Sequence, residues 1–591
     1  MDAGSHSSWR RRSSADGDTI YARPLGLTEL GFYWDALFNG TADVVNTDTI
    51  KVVDPNRDPE QVFSKENVSR AWTELKRRYP LLGARIVADE RHETVQFEVS
   101  DKYWTGEKKN GFSGTDRDLT FLDVGSAAEV YDFGNDLSNG PRQLSQDLLA
   151  RLYVLRQRTD PRIYYVTFHI VHVITDGMAN AALRRIFIDL IASGSPSMQY
   201  DIEDRLHMVR PIDALDPDWQ LSAPRRRWKR AIGGVMAERR ANALMGGHTL
   251  LRHTDAATPA TPAKSCETRI TLQPSVSARI MSTCRKNKFT FGHAHPVLGQ
   301  VALARVLHRR RGVLSEEEWQ WRRRQPMHNG GPLNLRPFLD REWLAKGGEA
   351  EAMLAISFFW HTLPFMPSLP EPDRDADGAQ FFSQVMSRER FFYRCRLIKK
   401  QADGFLKHPL FLEIANARLP GRIERTRSST LNWMKTNGTL TKELEDVFRN
   451  SPSMQSDGHT RPKTTLWDGL VITHGGSSMG NMDALVPLSY PLPRTHPLSS
   501  RQRAPRIQSK PVAIAAPPTV LTIIDTCTLL HCRPAELYLG ASTSRDKLYM
   551  NVFWDGNVYD SDLVKEWLDE VKNAAVWYLG DAQLVEEMAK L

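Results

Sequence analysis

One short segment carries the residues best suited to chemistry. The run YYVTFHIVHVITDGMAN contains His172, Asp176 and Gly177 in the spacing His-x-x-x-Asp-Gly. An imidazole titrates near neutral pH, so His172 at the end of a strand could accept a proton from a hydroxyl or an amine. We expect a turn at Asp176 and Gly177 to fix the approach of the ring, because glycine adopts backbone angles that other residues resist. The alternative is a buried strand histidine beside a turn aspartate, with no role in chemistry.

His169 offers an internal comparison. It lies three residues before His172 on the same predicted strand. Because side chains alternate along a strand, His169 should point to the opposite face. We therefore assign His169 a structural role.

A second segment fits the Gly-x-Ser-x-Gly turn that holds the nucleophile of serine hydrolases. It is Gly476–Gly480, and a strand-like run precedes it, as that turn requires. A helix should follow at once, but the chain continues as NMDALVPLSYPLP, which has no helical face. A serine hydrolase is therefore the less favoured reading. Ser478 could instead stabilise an oxyanion, or simply close a strand.

The remaining histidines and cysteines do not have the spacing of a metal site. The residues considered are His293, His295, His361, His474, Cys527, His531 and Cys532. The sequence also contains neither a phosphate-binding loop nor a dinucleotide fingerprint. We expect no metal and no tightly bound cofactor. The five cysteines form no Cys-x-x-Cys pair, which favours reduced thiols over a disulfide framework.

Composition and charge indicate a folded protein with a large core. Of 591 residues, 41% are apolar and 25% are charged, a balance that excludes a disordered chain. The net charge of +8 is small for this length, and arginines cluster locally at 10–12, 225–227, 309–311 and 322–324. Because no RNA-recognition or zinc-finger pattern accompanies them, nucleic-acid binding is disfavoured. The clusters at 309–311 and 322–324 could attract the phosphates of an anionic cosubstrate.

Targeting and membrane signals are missing from the sequence. The N-terminal run has no apolar core of a signal peptide, and residues 511–530 are interrupted by Pro517, Pro518 and Asp525. We expect a cytoplasmic protein that does not associate with a membrane.

The elements that must position the motif belong to an α/β protein. Residues 162–173 are rich in β-branched and aromatic types and predict a buried strand, and the apolar residues after Gly177 recur at helical spacing. Residues 68–79 predict a helix that ends at Pro80. Further strand-like runs lie at 81–88, 93–99, 352–360, 466–474, 519–526 and 547–554, and helical runs at 275–290, 296–307 and 563–578.

Changes of composition divide the chain. Residues 1–22 predict a disordered tail, and residues 23–215 an N-terminal lobe that carries the motif. Residues 216–265 pass from Arg-rich to Gly-rich to Pro-containing sequence, which is typical of a linker or insertion. Residues 266–591 form the C-terminal lobe, with a second polar insertion at 493–511. We predict two α/β lobes whose mixed sheets are covered by helices.

Residues from about 23 to 578 resemble the chloramphenicol-acetyltransferase-like superfamily. This superfamily includes nonribosomal peptide condensation domains, plant-type acyltransferases and fungal acetyltransferases of secondary metabolism. Its active-site motif is similar to the His172 segment. The other similar segments, in chain order, are RPLGLTELGFYWDALFNGTAD, AWTELKRRYPLLGARI, GPLNLRPFL, GSSMGNMDAL and KLYMNVFWDGNVYDSDLVKEWLDEV.

The resemblance implies two similar lobes with a channel between them. His172 would lie in the channel, reached by an acyl donor from one side and an acceptor from the other. Asp176 would face away from the substrate and pair with Arg336, because a buried carboxylate needs a partner and a guanidinium offers a planar one. Asn334 and Ser478 become candidates for lining the channel or stabilising the oxyanion.

Two departures narrow the resemblance. Val171 precedes His172, whereas condensation domains carry two adjacent histidines. The Asp-Phe-Gly-Trp-Gly segment of the plant enzymes is absent, and Trp554-Asp555-Gly556 does not replace it. Both departures favour a stand-alone fungal alcohol acetyltransferase.

The sequence therefore predicts a monomeric O-acyltransferase with His172 as general base. The resemblance implies that acyl-CoA, in the simplest case acetyl-CoA, is the cosubstrate and that a small hydroxylated secondary metabolite is the acceptor. Two alternatives from the same fold are a condensation-type enzyme, which uses a carrier-protein thioester or an amine acceptor, and a catalytically silent binding module.

Overall fold

The computed structural model of this protein describes residues 8–13, 17–101, 104, 115–194, 200–253, 261–367, 382–450, 471–500 and 517–580. Its strands are β1 (Arg10–Ser13), β2 (Thr19–Pro24), β3 (Val44–Val52), β4 (Arg85–Ala88), β5 (Val95–Ser100), β6 (Leu119–Val124), β7 (Ala150–Gln157), β8 (Ile163–Ile170), β9 (Ser265–Thr271), β10 (Met327–Asn334), β11 (Ile356–Leu363), β12 (Ile472–Asn481), β13 (Ser489–Tyr490), β14 (Leu521–Leu530), β15 (Leu537–Ser544) and β16 (Lys547–Asp555).

The helices alternate with these strands. They are α1 (Leu27–Leu37), α2 (Pro59–Val62), α3 (Lys65–Arg78), α4 (Thr115–Asp118), α5 (Ala127–Asn139), α6 (Gly177–Ser193), α7 (Ile202–Met208), α8 (Ala223–Asn242), α9 (Pro274–Lys286), α10 (Phe291–Arg309), α11 (Glu316–Arg324), α12 (Arg341–Ala345), α13 (Phe382–Val385), α14 (Arg388–Leu406), α15 (Phe411–Asn416), α16 (Leu419–Thr436), α17 (Lys442–Asn450) and α18 (Ser561–Leu579). Within the described ranges, every helix is too short or too polar to cross a membrane.

The first large sheet is built around the strand that precedes His172. Its order is β13-β14-β3-β8-β7-β6, and all neighbours are antiparallel except β6 and β7. Strand β8 is buried along almost its whole length, as its β-branched and aromatic residues predict. Helices α3 and α6 cover one face, where Trp72 and Phe187 contact Phe168 edge to face. A smaller sheet, β1-β2-β5-β4, lies in the same lobe.

The second large sheet forms the C-terminal lobe. Its order is β11-β10-β12-β15-β16-β9, with parallel pairs between β10 and β12 and between β12 and β15. Helices α10 and α18 pack on it through a continuous apolar cluster that includes Val301, Leu568 and Val571. The predicted fold class of two α/β lobes with mixed sheets is therefore confirmed.

The division into lobes differs from the prediction at two strands. Strands β13 and β14 lie within residues 266–591, yet β14 pairs with β3 and β13 pairs with β14, so both belong to the N-terminal sheet. A buried ionic contact secures this crossing: Arg184 donates to Asp48, and Thr526 of β14 donates to the same carboxylate. Pairing between strands so far apart in sequence leaves no local signal, which is why the boundary could not be read from composition.

Two further segments are more ordered than predicted. Within the expected disordered tail, β1 pairs with β2. Within the expected linker at 216–265, residues 223–242 form the long helix α8. This helix buries little more than Gly233 and Ala237, so its apolar periodicity is faint. Residues 1–7 and 14–16 of the predicted tail, 254–260 of the predicted linker, 501–511 of the second predicted insertion and 466–470 of the strand predicted at 466–474 lie outside the described residues.

Candidate active site

His172 begins the short turn that follows β8. The strand ends at Ile170, and a 3₁₀ turn over His172–Ile174 leads into α6. Nδ1 of His172 is buried and bonds to no other described residue, whereas Nε2 keeps accessible surface. Nε2 is therefore the nitrogen that can exchange a proton with a ligand.

Asp176 uses both carboxylate oxygens within the protein. Oδ1 accepts from the backbone N–H of Ala179 at 2.9 Å and so caps the first turn of α6. Oδ2 accepts from the N–H of Ala355 at 2.8 Å, and Nη1 of Arg336 donates to Oδ1 and Oδ2 at 3.1 and 2.9 Å. Neither oxygen bonds to the His172 ring, so the site lacks the carboxylate–imidazole bond of a triad.

Arg336 connects the motif to the C-terminal lobe. The side chain is fully buried at the end of β10, where Nη2 donates to the carbonyls of Glu351 and Met353 at 3.1 and 2.7 Å. The structure thus brings Asp176 and Arg336 together across 160 positions. Nη1 alone contacts the carboxylate, and Nη2 donates to the backbone that precedes β11.

The backbone conformation of Gly177 differs from the prediction. Its φ is not positive, so the turn does not depend on the backbone freedom of glycine. Instead, an added Cβ would lie 3.0 Å from Cε of Met479 on β12. Gly177 therefore marks a close approach between the motif turn and the second sheet.

Ser478 lies against the first turn of α10. Its Cβ would be 3.3 Å from a Cβ added at Gly292, in the first turn of α10, while the next residue, Met479, faces Gly177. The Gly476–Gly480 segment is part of β12, and a 3₁₀ turn follows it rather than an α-helix. The nucleophile turn of a serine hydrolase is therefore absent from this segment.

Asn334 supports Arg336. Its Oδ1 accepts from the backbone N–H of Arg336 at 3.1 Å and from Nη1 at 3.4 Å. This oxygen is therefore engaged with the Arg336 turn, which makes positioning of the buried arginine its evident contribution.

The arginine clusters expected to attract phosphates are mostly committed to ion pairs. Arg309 and Arg310 contact Glu566 and Glu570 of α18, Arg311 contacts Glu316, and Arg322 contacts Glu318. These carboxylates offset the positive charge that was predicted to draw in an anionic cosubstrate. The arginines instead fasten α10 and α11 to their neighbours.

Desolvation keeps a set of seven histidines neutral. It lowers the pKa of each to about 3 or 4; the set is His169, His172, His248, His295, His361, His474 and His531. For His172 the pKa falls to about 4, and the nearby cation of Arg533 adds to the effect of desolvation. His172 is therefore uncharged at neutral pH and free to accept a proton. His169 lies instead beside Arg142 and Arg151.

Four residues around His172 were missed by sequence reasoning. Phe32 stacks on the imidazole, and Asp35, Arg422 and Arg533 surround Phe32. Phe32 and Asp35 lie in a segment that supported the family resemblance, but no spacing connects them to His172. A stack between residues 140 or more positions apart has no sequence signal.

Fold and site together define a protein of two α/β lobes that meet at the His172 turn. In this protein an accessible histidine nitrogen lies beside a turn that a buried aspartate–arginine pair fastens to the second lobe. No protein-family profile and no curated protein matches the sequence.

Solved structures share this architecture. The trichothecene 15-O-acetyltransferase from Fusarium sporotrichioides superposes with a TM-score of 0.65 and 11% identity, over 98% of this chain and 99% of that chain. The condensation domain of the monacolin K polyketide synthase superposes with a TM-score of 0.53 and 10% identity, over 94% and 97%. The first condensation domain of the calcium-dependent antibiotic synthetase gives 0.52 and 11%, over 94% and 96%. The predicted two-lobed fold is thereby confirmed.

Proposed function

We propose that this protein is an acyltransferase that moves an acyl group from a thioester to a hydroxyl of a small molecule, with His172 as general base. The observation that carries the proposal is the accessible Nε2 of a neutral imidazole, on a turn that the buried Asp176–Arg336 pair fastens to the second lobe. The similarity to a structure described as an O-acetyltransferase supports the same reaction class.

The proton and the acyl group move in two linked steps. Nε2 of His172 takes the proton of the acceptor hydroxyl as the oxygen attacks the thioester carbonyl. The resulting tetrahedral oxyanion collapses, the carbon–sulfur bond breaks, and the imidazolium returns the proton to the leaving thiolate. An acyl-enzyme is unnecessary, because both substrates meet at one base.

The simplest donor is acetyl-CoA, and the acceptor class is a hydroxylated secondary metabolite. The absence of a second histidine at Val171 favours this reading over a condensation-type reaction. A carrier-protein thioester as donor, or an amine as acceptor, is the competing form of the same chemistry. Because condensation domains share the fold, the experiment also tests the condensation-type reaction.

The experiment is a thiol-release assay. The purified protein is incubated with acetyl-CoA and a panel of hydroxylated fungal metabolites, and free thiol and acylated product are both measured. We expect acceptor-dependent thiol release that His172→Ala abolishes and His169→Ala retains in the folded fraction. Turnover with an acyl carrier protein but with no CoA thioester would replace the proposal with the condensation-type reaction. Thiol release without acylated product would indicate a hydrolase.

A further inference from the structure

The His172 ring must be oriented by something other than a carboxylate. Asp176 spends both oxygens on Ala179, Ala355 and Arg336, and Nδ1 of His172 bonds to no other described residue. A histidine that acts as a base is commonly held in one orientation by a partner on its second nitrogen. In this site that partner is replaced by an aromatic contact.

Phe32 of α1 provides the contact. Its ring lies 4.3 Å from the imidazole, centroid to centroid, with an interplanar angle of only 12°. Phe32 is 2% exposed, so the stack is shielded from water on its protein side. The ring is therefore a flat, rigid surface against which His172 rests.

A guanidinium covers the same phenyl ring. Cζ of Arg422, on α16, lies 4.1 Å from the Phe32 centroid. Two groups this close to one centroid must occupy opposite faces when the imidazole already stacks in parallel. Helix α16 thus contributes to the base from more than 200 positions away in sequence, through a cation–π contact.

Asp35 holds the cations in place. One turn after Phe32 on α1, its Oδ2 accepts from Nη2 of Arg422 at 2.7 Å and from Nη2 of Arg533 at 2.9 Å. Gly31 leaves room for the Arg422 guanidinium, because an added Cβ would lie 2.8 Å from Nη1 of Arg422. Three segments that are far apart in sequence, around residues 32, 422 and 533, therefore meet at the ring that stacks on His172.

We propose that Phe32 and Arg422 are positioning residues for His172: the cation-capped stack holds the imidazole in one orientation, which is one of the two tasks of a triad carboxylate. The stack does not perform the other task, stabilising the imidazolium, because a cation beside the ring opposes protonation. The effect of this stack on catalysis rests on the proposed function. The stacking contact and its effect on the pKa of His172 can be tested without any substrate.

The charges that face His172 support this role. They are the cations of Arg533 and Arg422 and the carboxylate of Asp176, and Arg336 neutralises that carboxylate. Asp35 pairs with both cations and Glu536 pairs with Arg533, so these carboxylates offset much of the positive charge. Desolvation is the largest cause of the lowered pKa of His172, and the two cations add to it. The pKa of Arg422 falls to about 10 through burial, which leaves it charged at neutral pH. At an effective dielectric of about 20, a unit charge across a ring changes the pKa of its neighbour by about 1.

The direct test is an NMR titration of the full chain with labelled histidine, in which His172→Ala assigns the resonance. In the wild type we expect the Cε1–H signal of His172 upfield of the other histidines, because the Phe32 ring current shields it. Phe32→Leu should move this signal downfield. Arg422→Met should raise the pKa of His172 by about 1, and Arg422→Lys should restore most of the wild-type value.

Arg425→Met is the matched control, since Arg425 is an exposed arginine on the same helix. It should leave the His172 signal and its titration unchanged. A wild-type signal without the upfield shift would overturn the stack, even if every variant misfolds. An unchanged pKa in folded Arg422→Met would overturn the electrostatic role.

Kinetics then connect the stack to catalysis. In the thiol-release assay, we expect Phe32→Leu to lower kcat by about tenfold through lost orientation of the base, with little change in KM for the donor. Arg422→Met should lower kcat less, because a higher pKa makes His172 a stronger base and offsets part of the lost orientation. The acid limb of kcat/KM should move to higher pH in Arg422→Met but not in Arg425→Met. NMR changes without acyl transfer by any donor would count against the proposed function alone. Acyl transfer with an unshifted His172 signal would count against the stack alone.

Discussion

Replacing Arg336 with methionine should destabilise the protein far more than removing the base. The guanidinium is fully buried and donates to both oxygens of Asp176 and to the carbonyls of Glu351 and Met353. Removing one member of a buried ion pair costs about 3–5 kcal/mol. Because Asp176 keeps two backbone N–H donors, we expect the lower end of that range, about 3 kcal/mol, in the free energy of unfolding.

Variants at Asp176 separate the charge from the helix cap. Asp176→Asn keeps an oxygen that can accept from Ala179, but it leaves the guanidinium without a counter-charge. Asp176→Ala also loses the cap of α6 and should cost about 1 kcal/mol more. The double variant Asp176→Asn with Arg336→Met leaves no buried charge, so its loss should fall short of the sum of the single losses by about 1–3 kcal/mol.

The assay is urea unfolding of the full chain, followed by tryptophan fluorescence, with thiol release measured on the same samples. His172→Ala is the control: it should unfold close to the wild type while losing activity. Wild-type stability in Arg336→Met, or an equal loss of stability in His172→Ala, would refute the assignment of the pair as the connection between the lobes.

Three further outcomes are expected. His172→Ala should lower kcat by about 10²–10⁴-fold. His169→Ala should lower the melting temperature while the folded fraction keeps its activity. An inactive but stable His169→Ala variant would instead make His169 the base. A serine-directed covalent inhibitor should leave Ser477 and Ser478 unlabelled by mass spectrometry, and stoichiometric labelling with loss of activity would contradict the transferase mechanism. The seven neutral histidines are protonated in the unfolded chain below pH 6.5 but not in the folded protein until about pH 3–4. Stability should therefore fall as pH decreases from about 6.5 to 4, because the unfolded chain takes up protons that the folded histidines do not. A flat urea midpoint over this range would argue against their burial.

Elements whose apolar residues recur at a regular spacing were predictable from the sequence. The helix expected at 68–79 is observed at Lys65–Arg78, and the strand expected at 162–173 is observed at Ile163–Ile170. Elements without regularly spaced apolar residues were not predicted. Helix α8 buries only a narrow stripe, and β1 is a strand because β2 pairs with it.

The placement of the residues in the motif turn was predictable from the sequence. The spacing of His172, Asp176 and Gly177 places a histidine at the exit of a buried strand and an aspartate at the cap of the next helix, since both relations span only a few residues. The family resemblance added the prediction that Asp176 pairs with Arg336.

The surroundings of the base could not be predicted from the sequence. Phe32 and Arg422 reach His172 from helices that lie 140 and 250 positions away in opposite directions along the chain. Arg533 follows β14, a strand of the C-terminal half that pairs in the N-terminal sheet. Stacking and cation–π contacts depend on how whole helices pack, and packing leaves no periodic trace in the sequence around either partner. The same packing places Met479 against Gly177, a contact that no spacing in the sequence indicates.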